Sequence, residues 1–107
     1  MKIETRELEK HLENLNKYVE WKKQQIIKMG YTIQDYLLTN DLNNAKPKDL
    51  MPKLIDKGYF NKDHRNGLPL KNLLRQLDDN NLLYLLPQVS VERKDKNRYW
   101  FFNVIKF

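Results

Sequence analysis

Leu8, Leu12, Leu15, Val19, Ile26 and Met29 recur at spacings of four, three, four, seven and three, with mostly polar residues between them. Apolar positions that return every three or four residues line one side of an α-helix. Neither Pro nor Gly interrupts the segment from Glu4 to Met29, and Gly30 follows as a natural helix end. Glu4, Glu7 and Glu9 crowd its start while Lys22, Lys23 and Lys28 crowd its end, as the helix dipole favours. The pattern predicts one long amphipathic helix within residues 1–30. Its seam of Leu8, Leu12, Leu15, Val19 and Ile26 has two uses: packing across the rest of the chain, or pairing with a second copy. A helix of about 26 residues spans roughly 39 Å, longer than the body of so small a domain. That excess favours a homodimer.

Beyond Gly30 the elements shorten. Thr32-Ile33-Gln34-Asp35 resembles a capping box and opens a second helix ending near Asn40, with Ile33, Tyr36 and Leu37 on one face. Lys46-Pro47-Lys48-Asp49 opens a third, with Leu50, Leu54 and Ile55 inward, Gly58 as its stop and Pro52 within its first turn. Pro69 starts a fourth, in which Leu70, Leu73, Leu74 and Leu77 mark the buried side at i, i+3, i+4 and i+7. Asn80-Asn81 ends it. The period then changes. Gln88 to Arg93 alternates, Lys94 to Asn97 reads as a turn, and Arg98 to Val104 is a second strand dense in aromatics. The expected fold is α+β and mostly helical. A long N-terminal helix (1–30) precedes a unit (31–107) of three short helices and a C-terminal β-hairpin.

Charge sharpens this picture. The chain of 107 residues carries a net charge of +6. Residues 1–45 contain seven basic and seven acidic side chains, whereas residues 46–107 contain thirteen basic and seven acidic ones. All the excess therefore lies in the second half, and Arg93 to Arg98 alone carries +3. Such a concentration attracts polyanions. The absence of cysteine removes disulfides, thiolate metal sites and a thiol nucleophile together.

Short helices followed by a hairpin, with basic residues on the last helix and on the hairpin tip, resemble the winged helix-turn-helix superfamily over residues 32–104. Lys48–Lys57 matches the supporting helix, Leu68–Asp79 the recognition helix and Arg93–Arg98 the wing. The resemblance implies binding of duplex DNA with one helix in the major groove. Lys71, Asn72, Arg75 and Gln76 lie opposite the leucines of that helix and are residue types that read base edges. A solvated helix face would hold the same residues. Arg93, Lys94, Lys96 and Arg98 would grip phosphate or enter a minor groove, although a basic turn also keeps a sheet edge from aggregating. Tyr99, Trp100, Phe101 and Phe102 must divide between two faces of their strand. They read as packing residues more than as a base-stacking platform.

Chemistry of other kinds finds little footing. His11 and His64 are scattered, and Asp78 and Asp79, adjacent on a helix, project in different directions and do not converge easily on a metal. No phosphate-cradling glycine loop or nucleophile–base motif is present. The expectation is a non-enzymatic protein without cofactor or metal. Its charged start does not resemble a signal peptide and its longest apolar run, Leu82 to Leu86, is five residues, so it is read as cytoplasmic and not membrane-bound. The leading function is sequence-specific binding of double-stranded DNA by a homodimeric regulator of transcription or of a mobile element. The alternative is a protein-interaction module, an adaptor or small phage-type inhibitor, using the N-terminal helix and the aromatic hairpin.

Overall fold

The structure is a computed structural model that describes the backbone of residues 5–106 and the side chains of residues 22–106. It is an α+β arrangement, roughly half helical, of three helices and one antiparallel hairpin. In chain order these are α1 (Thr5–Thr39), α2 (Pro47–Asp56), α3 (Leu68–Asp79), a 3-10 turn at Leu83–Leu85, β1 (Val89–Lys94) and β2 (Asn97–Phe102).

Three helices stand where the sequence predicts four, because α1 passes through Gly30 without stopping. Gly30 is buried, and its φ does not lie in the left-handed region that a glycine stop requires. Thr32, expected to cap a new helix, donates its hydroxyl back to the Lys28 carbonyl at 3.3 Å, the i−4 bond of a helix interior. Magnitudes explain the outcome. Glycine within a helix costs about 1 kcal/mol relative to alanine. Ile33 and Leu37 beyond it are 1% and 0% exposed, and burying each such side chain contributes about 1.5–3 kcal/mol. Ile26, Met29, Ile33 and Leu37 form one uninterrupted stripe into the core.

All three helices end in the same way. Asp41 (φ 51°), Gly58 (φ 83°) and Asn81 (φ 58°) take the left-handed conformation just past the last turn. The next amides, of Leu42, Tyr59 and Leu82, then bond back to the carbonyls of Leu37, Leu54 and Leu77 at 3.0, 2.9 and 2.7 Å. These are Schellman closures, each followed by an apolar residue that packs against the core. The start of α2 is held by the Asp49 carboxylate, which accepts the Lys46 N–H at 2.9 Å. Since α2 begins at Pro47, Pro52 lies in the helix interior and not in its first turn. Its ring sits on the exposed side, leaving Leu50, Met51 and Leu54 to the core. Met51 thus takes a buried place that the sequence pattern assigns to Ile55.

The core gathers Leu70, Leu74 and Leu77 of α3, Leu86, and Trp100 and Phe102 of β2 against these α1 and α2 side chains. In the hairpin Val89 faces Phe102, Val91 faces Trp100, Arg93 faces Arg98, and Lys94 pairs with Asn97. The turn is therefore Asp95-Lys96, two residues and not the expected four, with Asp95 at φ 53°. Strand β2 ends at Phe102, short of the expected Val104. Ala45 forms a one-residue bridge to Phe102, through bonds of 3.0 and 2.8 Å. The tail that follows is tied to α1 by Gln34, whose amide nitrogen donates to the Ile105 carbonyl at 3.1 Å and whose oxygen accepts the Ile105 N–H at 3.0 Å.

Two glycine substitutions test this account. Gly67 precedes α3 at φ 91°, and a Cβ there would lie 2.6 Å from the Lys48 nitrogen. A Cβ on Gly30 would meet Leu86 at an ordinary 3.4 Å. Gly67→Ala should therefore destabilise the chain by more than about 1–2 kcal/mol, whereas Gly30→Ala should stabilise it by up to about 1 kcal/mol. Urea unfolding of the two variants checks both. A destabilised Gly30→Ala would place the helix end at Gly30 after all.

Candidate nucleic-acid interface

Helix α3 is positioned at its start by Gly67, whose N–H donates to Asp63 Oδ1 at 2.9 Å, and by Pro69 in its first turn. With Leu70, Leu74 and Leu77 inward, Lys71 and Arg75 stand one turn apart beside the hairpin. Strand β2 alternates as a strand must. Trp100 and Phe102 point to the core with 4% and 0% exposure, while Tyr99, at 47%, lies on the outer face.

The same alternation sets Arg93 and Arg98 opposite each other on the inner face of the hairpin. Like charges directly across a strand pair repel. Asp78, on the last turn of α3, resolves the conflict. Its two carboxylate oxygens accept both Nη groups of Arg93 at 2.8 Å, and Oδ2 also lies 3.2 Å from Arg98 Nη1. Asp79 Oδ1 meets Arg98 Nη2 at 2.8 Å. The two adjacent acids, expected to diverge, converge on one guanidinium because it lies between them. The fork from Arg93, with the charges of Arg93 and Arg98, holds the Asp78 carboxyl below its ordinary value of 3.8 against the opposing effect of burial. Asp78 in turn raises the Arg93 guanidinium above its ordinary value.

The expected site residues are consequently redistributed. Arg93 and Arg98 are committed to the acids of α3, and Lys94 makes an exposed 3.2 Å contact with Glu92. Lys96 stands exposed at the turn. Asn72 is exposed on α3, while Gln76 turns away to line a hollow of about 480 Å³ with Ile26, Leu73 and Leu77 between α1 and α3. Lys71, Arg75 and Arg98 meet in a different place. They line an open groove of about 500 Å³ between α3, the start of α2 and the length of β2. Lys46 and Lys48 complete it, together with Asn66 and Asn97 to Phe101. Among the described residues, five cationic side chains and no carboxylate line this groove. Lys46 and Lys48 escape sequence reasoning as site residues. Their Lys-Pro-Lys segment is visible at a helix start, but nothing local places it against residues some 25 positions later.

Of the proposed dimer seam, the side chains of Leu8, Leu12, Leu15 and Val19 lie outside the described residues, and Ile26, at 6% exposure, is buried in the chain's own core. Among the described residues no group of three or more His, Cys, Asp and Glu side chains is placed to hold a metal, and no helix is long and apolar enough to cross a membrane. His64 is exposed in the loop before α3. No family model matches the chain, and no curated protein or solved structure matches it at a significant level.

The acid clasp has a pH signature. Folding lowers the Asp78 pKa, so its contribution to stability is full above the ordinary carboxylate value and is lost as the pH falls through the lowered one. Asp78→Asn should melt at a lower temperature than the wild type at about pH 7, and the gap should close by about pH 2. Thermal melts followed by circular dichroism check this. A gap of the same size at both pH values would assign the stabilisation to shape and not to charge.

Proposed function

We propose that this chain is a sequence-specific double-stranded DNA-binding protein of winged-helix type, a small regulator of transcription or of a mobile element. The observation that carries the reading is the groove between α3 and β2, lined by Lys46, Lys48, Lys71, Arg75 and Arg98 with no carboxylate among the described residues. In this reading α3 enters the major groove with Arg75 at its reading face. A guanidinium there matches the O6 and N7 acceptors of guanine in a fork. Lys71, Lys46 and Lys48 hold flanking phosphates, and Lys96 at the hairpin turn reaches the next stretch of backbone. Arg93 and Arg98 brace the hairpin against α3 and are not the principal phosphate contacts. Gln76 has no part in reading bases, since it faces the opposite hollow.

A salt titration on duplex DNA tests the reading. If Lys46, Lys48, Lys71, Arg75 and Lys96 neutralise about five phosphates, log K should fall with log salt at a slope near −4.5. Arg75→Ala should cost roughly 1–3 kcal/mol on a preferred site and flatten the preference there, while Lys96→Ala should weaken all duplexes about equally. Absence of binding at low salt, or binding indifferent to salt, would remove the DNA reading.

A homodimer paired through Leu8, Leu12, Leu15 and Val19 belongs to the same proposal and is supported by their spacing. Two-fold symmetry would match a pseudo-palindromic site. Leu12→Glu with Leu15→Glu should then convert a dimer into folded monomers that bind DNA more weakly, as read by sedimentation and circular dichroism. A wild type that sediments as a monomer would overturn the pairing and the expectation of a palindrome.

A further inference from the structure

The groove has a backbone as well as a charge. Phe102 turns both its N–H and its C=O away from β1 to Ala45, at 2.8 and 3.0 Å. Successive residues of a strand alternate the side to which their peptide groups point. Asn103 N–H, on the other side, bonds Gln88 O at 2.9 Å as that alternation requires. Trp100 and Arg98 therefore direct their N–H and C=O groups to the same edge as Phe102. There the pairing stops, because the chain enters α2 at Pro47 immediately after the Ala45 bridge. What lies along that edge is the cationic groove, which runs the length of Asn97 to Phe101. Four aligned peptide groups of a strand edge that is unpaired among the described residues thus face a channel whose other wall is Lys48, Lys71 and Arg75.

We infer that this edge takes an extended acidic peptide segment of a partner protein as an added strand, continuing the one-residue pairing that Ala45 begins. Backbone groups of the segment pair with Arg98 and Trp100, which gives affinity without regard to sequence. Its side chains alternate between the two faces of the sheet. Those on the inner face meet Lys71 and Arg75 and carry carboxylates, since Lys46, Lys48, Lys71 and Arg75 line the groove outside the acid clasp and no carboxylate lines it among the described residues. Unpaired edges are commonly protected by charge, and here the same lysines that discourage a neutral strand welcome an acidic one. The inference does not rest on DNA binding, and the two ligands would exclude each other from the groove.

The test uses the full chain and two probes. One is a capped nine-residue peptide alternating Glu and Thr. The other is the same peptide with every backbone nitrogen methylated, which keeps its charge and removes its donors. The first should bind in low salt and slow hydrogen exchange at the Trp100 and Arg98 amides, read by NMR. The amides of Tyr99 and Phe101, on the β1 side of the strand, should stay unchanged. The methylated peptide should bind at least about tenfold more weakly. Equal affinity of the two peptides would overturn strand addition and leave the groove as a site for polyanions, nucleic acid among them. Binding of the first peptide without slowed exchange at Trp100 and Arg98 would overturn it as well.

Discussion

Asp78 is the point on which the functional half of this molecule turns. A two-stranded hairpin is marginal on its own, and this one opposes two arginines across its strands. One carboxylate at the end of α3 takes the fork of Arg93 and reaches Arg98, and Asp79 beside it takes the rest of Arg98. Repulsion within the hairpin becomes attraction between the hairpin and a helix. The clasp fixes one end of β2 against α3, while Trp100 and Phe102 fix the other end in the core. The groove is the space left between those two attachments.

The clasp also divides the basic residues by role. By composition alone, any of the thirteen cations in residues 46–107 could serve a polyanion. Neutralising Arg93 and Arg98 internally moves the free positive charge from the hairpin tip toward Lys46, Lys48, Lys71 and Arg75. Three separate segments supply that groove: the start of α2, one face of α3 and β2. The close approach that brings the first two together is made at Gly67, where a side chain would collide with the backbone of Pro47 and Lys48. A glycine with no chemistry of its own thus sets the spacing of the cationic walls.

Local rules written in the chain were sufficient for much of the fold. The leucine periodicity places α3 at Leu68–Asp79, and Gly58 and Asn81 close α2 and α3 with left-handed residues, as their side chains allow. Alternation in the last quarter gives the hairpin and sends Trp100 and Phe102 inward. Gly30 misleads when read as punctuation. The stripe of Ile26 and Met29 continues in phase to Ile33 and Leu37, and the burial of those two side chains outweighs the cost of a glycine in the helix.

What the sequence determined by itself was whatever depends on neighbours a few residues apart: the α+β class, the ends of α2 and α3, the hairpin, and the restriction of excess charge to the second half. Tertiary structure alone decided which of those charges are available. Ion pairing acts through space, so Asp78 can silence Arg93 and Arg98 only because folding brings residues fifteen and twenty positions away to its carboxylate. Lys46 and Lys48 join Lys71 and Arg75 for the same reason. Periodicity says which side of a helix faces out, but packing decides what else stands on that side.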